Sequence, residues 1–249
     1  MRILCSNDDG YMALGLNVLA TAAAEIGSVT VVAPDREQSA TSHALTLHHP
    51  LRARRSSDGA WVVDGTPTDC VILAVGELLE DRPDIVLSGI NHGPNMGEDV
   101  LYSGTVAAAM EATVLGIPAV AFSFTGEKHE ELEGWQPVIT DLLRRIVARD
   151  DFPEDTLLSV NLPDVAPGDV RGVRVTKLGQ RRYKDSLTRA QDPSGKEYFW
   201  IGGGKTNWRG PEDSDFRAVA DGFISVTPLH LDLTNFRLLD QLRGWGLDP

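Results

Sequence analysis

The chain has 249 residues, 42% of them hydrophobic and 24% charged, which suits one large α/β domain with an extension and needs no disulfide to be stable. Its 36 acidic residues outnumber 23 basic ones, and the net charge of −13 argues against binding nucleic-acid duplexes, which takes a basic stripe. A small phosphorylated ligand is compatible with that charge if a local cation neutralises it.

In chain order, Arg2–Ser6 reads as a short apolar strand broken by Asn7-Asp8-Asp9-Gly10. A helical pattern through Leu14, Leu16, Val18, Leu19, Ala22, Ala23 and Ile26 follows, stopped by Gly27 in the manner of a C′ glycine. Val29–Ala33 is a second strand ended by Pro34, so the opening is a βαβ unit, which implies a parallel sheet. Thr66-Pro67-Thr68-Asp69 carries the marks of a capped helix start. Strands are expected at Asp84–Ser88, Ala119–Ser123, Leu157–Val160 and Phe223–Thr227. Helices are expected at Ser103–Leu115 (closed by Gly116), Val138–Val147 and Thr234–Leu242.

The texture changes after about Pro163. Arg181–Arg217 is rich in Gly, Pro, aromatic and charged residues, too long for a plain loop. Tyr198, Phe199, Trp200 and Trp208 fit either a subunit-contacting arm or a cover for the domain's own core. Residues 1–165 are thus expected to form the parallel α/β core, and residues 166–249 an extension with a hairpin arm, a later strand and a C-terminal helix.

Cys5 and Cys70 lack zinc-site spacing and read as buried free thiols in a reducing compartment. With no signal-peptide pattern and no apolar run of membrane length, a cytoplasmic protein without a membrane partner is expected.

Ligands of open parallel sheets bind beyond the strands' carboxyl ends. There the sequence places Asn7-Asp8-Asp9-Gly10, the Pro34–Ser39 segment, and the glycine-punctuated Ser88–Gly97 loop. Adjacent Asp8 and Asp9 repel each other, and a hard divalent cation resolves that repulsion; taken alone, an Asp-Gly turn is the commoner meaning. Ser39 and Asn91 would complete an oxygen shell without adding charge, and Asn91 equally suits a turn. Tyr102-Ser103-Gly104-Thr105 opens a helix, where free N–H groups make an anion site or Ser103 is simply an N-cap. His43 either assists a leaving group or is structural. Walker, dinucleotide and nucleophile-elbow patterns are missing.

These residues resemble the SurE survival-protein family. The resemblance rests on Ser6–Gly10, Ala33-Pro34 with Gln38–Ala40, Asp64–Cys70, Ser88–Gly97, Asp99–Glu111, Asp192-Pro193, Tyr198–Trp200, Asp215 with Ala218-Val219, and Gly222–Leu229, in the family's order. It implies a phosphatase of nucleoside 5′- and 3′-monophosphates with one divalent ion per subunit, magnesium or manganese. Asp8, Asp9, Ser39 and Asn91 match the metal ligands, and Asn95, Ser103, Gly104 and Thr105 match the phosphate pocket. The resemblance also implies a Rossmann-like catalytic core over residues 1–165, and a homodimer or homotetramer in which the arm, returning strand and C-terminal helix of residues 166–249 are exchanged between subunits. Two stretches depart from the family pattern: Leu14 stands at a usual proline, and Ala40–His43 replaces a glycine-rich stretch. Attack on phosphorus comes from water or from Asp9 as nucleophile. Two rival readings are a metal-dependent deacetylase, which also needs histidine ligands, and a non-catalytic nucleotide-binding or sensing module.

Overall fold

The computed structural model describes residues 1–149, 151–183, 187–201 and 206–247. The strands are β1 (Arg2–Ser6), β2 (Ser28–Pro34), β3 (Ala53–Arg55), β4 (Trp61–Val63), β5 (Ile85–His92), β6 (Ala119–Phe124), β7 (Thr156–Leu162), β8 (Val173–Val175), β9 (Gln180–Tyr183), β10 (Leu187–Gln191), β11 (Glu197–Ile201), β12 (Thr206–Arg209) and β13 (Ile224–His230). The helices are α1 (Leu14–Ala24), α2 (Pro67–Leu73), α3 (Gly104–Val114), α4 (Gln136–Val147), α5 (Asp215–Ala220) and α6 (Phe236–Arg243). The main sheet has the order β3-β4-β2-β1-β5-β6-β7-β13-β8. From β4 to β7 neighbouring strands run parallel, while β13 is antiparallel to β7 and β3 to β4.

Apolar alternation explains why the central strands read as unbroken hydrophobic runs. Ile3 and Cys5 face one core with Leu16, Phe122, Trp135 and Ile139, whereas Leu4 faces the other with Val71, Val106 and Ala109. Successive side chains point to opposite faces, and helices cover both. The fold is therefore the expected α/β sandwich, with α1 and α4 packing on one face and α2 and α3 on the other.

Several local expectations shift. The capping box forms as read: Thr66 Oγ1 accepts from the Asp69 N–H at 3.1 Å, and Asp69 Oδ2 accepts from the Thr66 N–H at 2.8 Å. Gly116 takes the left-handed stop at φ +72°. Gly27 does not: α1 already ends at Ala24, and a Cβ at Gly27 would lie 2.4 Å from the Met1 carbonyl oxygen, so closeness rather than handedness demands glycine there. The Ser88–Gly97 stretch is strand as far as His92, with a register shift between Ser88 and Asn91. β3, β4, β8 and α5 carry no clear periodic signal, being only three to six residues long.

The Arg181–Arg217 segment resolves into two antiparallel ladders, β9 with β12 and β10 with β11, followed by α5. Parts of the expected arm, residues 184–186 and 202–205, lie outside the described residues, as do the final two residues of the expected 166–249 unit. Trp208 stacks on Phe216 with ring centroids 5.8 Å apart, covering the protein's own structure. Tyr198, Phe199 and Trp200 are exposed on β11. From residue 166 onward the chain also returns β8 and β13 to the main sheet.

Candidate active site

The chain places β2 on one side of β1 and β5 on the other, so the carboxyl ends of β1 and β5 flank a topological switch point. A cavity of about 1390 Å³ opens there. Asp8, Asp9, Ser39, Asn91, Asn95 and Ser103 all line it. Six of the residues singled out in the sequence thus converge, though they come from four separate segments.

Asp8 follows β1 and is only 5% exposed. Its Oδ1 accepts a hydrogen bond from the Thr105 hydroxyl. Burial pushes its carboxyl up to about 6; the Thr105 bond opposes this and the neighbouring Asp9 charge adds to it. Asp9 is also raised, first by burial, with the Glu37 charge adding to it, while the His92 N–H that reaches Asp9 Oδ2 at 3.1 Å works against it. The backbone fixes this segment to the next loop, since the Gln38 N–H donates to the Asp8 carbonyl at 2.7 Å.

Asn91 ends β5. Its Nδ2 donates to the Gly93 carbonyl at 2.9 Å, which leaves Oδ1 as the group facing Thr105, 3.4 Å from that hydroxyl. Ser39 is exposed and donates to Glu37 Oε1 at 2.5 Å, keeping its oxygen lone pairs available. Among the described residues no group of three or more His, Cys, Asp and Glu side chains comes together to hold a metal. Two carboxylates and the neutral oxygens of Asn91 and Ser39 thus line one cavity, an all-oxygen set of the kind that hard divalent cations take.

Ser103 caps α3, its Oγ accepting from the Val106 N–H at 3.1 Å. The hydroxyl proton stays free to donate, and the first-turn N–H groups of α3 have no partner within the helix. Gly104 and Thr105 do not line the cavity; they sit against its acidic floor. A Cβ at Gly104 would lie 2.8 Å from Asp8 Cβ and 3.0 Å from Asp8 Oδ2, so only glycine lets the helix start approach this carboxylate. Asn95 is 6% exposed and donates through Nδ2 to Ser123 Oγ at 2.8 Å.

His43 is elsewhere. It pairs with Glu111 Oε2 at 2.7 Å and is not among the cavity's lining residues. The departing stretch Ala40–His43 keeps a glycine-like backbone, with Ala40 at φ 56° and Ser42 at φ 55°. It is tied down where Ser42 donates to the Leu101 carbonyl through Oγ at 2.7 Å and to the Tyr102 carbonyl through N–H at 3.1 Å.

Further lining residues were not singled out as site residues from the sequence. His92 stacks on His129, with centroids 4.0 Å apart, and both face the cavity. Arg181 reaches it from β9, ion-paired to Asp99 and lying over Trp208. Glu37 and Tyr102 also line it; both fall inside or beside the motif stretches and could have been found by position.

Comparison with known proteins finds relatives over the whole chain. The family described as Survival protein SurE matches residues 3–185. A protein named 5′-nucleotidase SurE from Gemmatimonas aurantiaca is 60% identical, the match covering 100% of both chains. One of the same name from Geotalea uraniireducens is 51% identical over 99% of this chain and 100% of its own. The crystal structure of the SurE protein from Aquifex aeolicus superposes with a TM-score of 0.88 at 43% identity, covering 99% of this chain and 100% of that one.

Proposed function

The chain belongs to the Survival protein SurE family, and on that footing we propose that it hydrolyses nucleoside 5′-monophosphates, and 3′-monophosphates as well, to nucleoside and phosphate. The observation that carries this reading is the meeting of Asp8, Asp9, Asn91 and Ser39 with Asn95 and the Ser103 helix start in one cavity. Cation donors beside anion donors describe a site for a phosphate ester.

Asp8, Asp9, Asn91 and Ser39 would hold one magnesium or manganese ion per subunit. When bound, the ion neutralises a phosphate oxygen and makes water a better nucleophile. The protein's own groups do the rest. Thr105 fixes the Asp8 carboxylate and the His92 N–H fixes that of Asp9. Ser103 meets a phosphate oxygen through its free hydroxyl proton at the cavity wall, and Asn95 supplies an amide donor on a neighbouring side. Charge that builds in the transition state then meets dipoles already in place.

The assembly reading follows from exposed apolar surface. Phe199 and Trp200 on β11 are 60% and 67% exposed, and Phe236 on α6 is 64% exposed. Exposed aromatic residues on β11 and α6 suit a homodimer or homotetramer built through the arm and the C-terminal segment. Light scattering with Phe199→Ser/Trp200→Ser and Phe236→Ser variants tests this, with dissociation expected. Cys5 and Cys70 are free and buried, which suits the cytoplasm. No helix among the described residues is long and apolar enough to cross a membrane.

The decisive experiment measures inorganic phosphate release from a panel of 5′- and 3′-nucleoside monophosphates with magnesium, manganese or chelator. Metal-dependent release is expected. Nucleotide binding without release under every condition would instead favour a sensing module.

A further inference from the structure

Asn95 is gripped by groups that do not themselves line the cavity. Its backbone N–H donates to Asn161 Oδ1 at 3.0 Å, and its backbone carbonyl accepts from Asn161 Nδ2 at 3.0 Å. Its side-chain Nδ2 donates to Ser123 Oγ at 2.8 Å. Asn161 on β7 and Ser123 on β6 are register partners in the parallel sheet, each 1% exposed.

The chemistry of this grip is specific. Asn95 lies beyond the end of β5, where no strand ladder serves its backbone. A primary amide carries one acceptor and two donors at a fixed spacing, so a single side chain satisfies both the N–H and the C=O of one residue. An ionised carboxylate has no donor for the carbonyl, and a leucine of similar size has neither group. Because both partners are buried, water does not compete for these bonds, and the backbone at Asn95 is held in one place. Ser123 then uses one of the two amide N–H donors of Asn95 and leaves the other, together with Oδ1, for the cavity.

We infer that Asn161, acting with Ser123, is the positioning residue that sets Asn95 against a phosphate oxygen. This rests on the phosphate-pocket reading given above. Asn161 touches no reacting atom; its effect passes through Asn95. Its 66-residue separation from Asn95 in sequence hides that link.

The test measures kcat and KM for a 5′-nucleoside monophosphate, and the inhibition constant of inorganic phosphate, on the metal-loaded enzyme. Wild type, Asn95→Ala, Asn161→Ala, Ser123→Ala and the double variant Asn95→Ala/Asn161→Ala are compared, with a thermal unfolding curve for each. Asn161→Ala is expected to raise the phosphate inhibition constant and lower kcat/KM, each about tenfold or more. The double variant is expected to match Asn95→Ala within about threefold, because groups acting through one another do not add. Losses that multiply in the double variant would overturn the proposal, since they would show Asn161 acting elsewhere. So would a folded Asn161→Ala with the wild-type phosphate inhibition constant while Asn95→Ala is impaired. If Asn95→Ala is itself unimpaired, the phosphate-pocket reading fails and the positioning role falls with it. Should Asn161→Ala not fold, Ser123→Ala decides: a rise of about threefold in the phosphate inhibition constant supports the grip on Asn95, and no change overturns it.

Discussion

Thr105, in the first turn of α3, donates its hydroxyl proton to Oδ1 of Asp8, 97 residues earlier in the chain. The bond orients a carboxylate that burial would otherwise drive towards protonation. Groups that orient metal ligands in this way typically change affinity or activity by about 10–100-fold when removed. Thr105→Val keeps the shape and removes the donor, so metal affinity by calorimetry and kcat/KM should both fall within that range while the fold persists. An unchanged metal affinity would show that Thr105 only packs.

Asp8 stands well above its ordinary 3.8 in the folded protein, at about 6. The stability it contributes is therefore fully present below pH 3.8 and is lost as pH rises through about 6. In chelator at pH 7.5, Asp8→Asn should be more stable than wild type, on the order of 2 kcal/mol by urea denaturation. At pH 3.5, where the wild-type carboxyl is already neutral, that gain should vanish. Phosphate release by the same variant should be almost abolished. A variant less stable than wild type at pH 7.5 would contradict the electrostatic account.

Gly104 admits Asp8 because it has no Cβ. Gly104→Ala forces a shift of the helix start or the carboxylate, at about 1–3 kcal/mol of stability. Catalysis should suffer more than stability, with kcat/KM down at least tenfold, since a displacement near 1 Å in such a site is that damaging. Wild-type kinetics in this variant would mean that the site is looser than the contacts indicate.

Asp215 accepts from three backbone N–H groups, those of Gly97 at 2.8 Å, Gly179 at 2.9 Å and Phe216 at 2.7 Å. It joins the root of the arm to the turn leading into Ser103. Burial raises its carboxyl and the three donors oppose that. Asp215→Ala orphans buried donors and should lower unfolding stability by about 3 kcal/mol. Amide exchange should rise at Gly97 and Gly179 in particular; loss of protection spread evenly over the sheet would argue against a local latch.

Ala40 occupies the left-handed region, where a Cβ is unfavourable by about 1 kcal/mol. Ala40→Gly should therefore hold stability level or raise it by up to about 1 kcal/mol, despite the added freedom of the unfolded chain. A clear drop in the melting temperature would show that the Ala40 methyl makes packing contacts that outweigh the strain.

Much of the sheet was legible because the responsible signals are local. Ile3, Leu4 and Cys5 must be strand whichever face each one meets, and an Asp pair after the first strand of a βαβ unit must emerge at the carboxyl edge. Asn91 lines the cavity as its loop position suggested, but it was not legible as a strand residue, because Gly89 and Gly93 mask a strand that continues through an irregular register. His43 had two readings, a leaving-group partner near Ser39 or a structural residue; it pairs with Glu111 on α3, away from the cavity lining.

By itself, then, the sequence determined the parallel sheet, the capped helix starts and the edge at which Asp8, Asp9, Ser39 and Asn91 gather, since hydrophobic period and turn chemistry act over a few residues. Only the tertiary structure decided that Thr105 serves Asp8, that Asn161 grips Asn95, that Asp215 ties the arm to the cavity turn and that β13 enters the sheet antiparallel. Those choices depend on hydrogen-bonding groups far apart in the chain, which leave no periodic trace because each is satisfied once, by one partner, and only after the sheet has brought the two together.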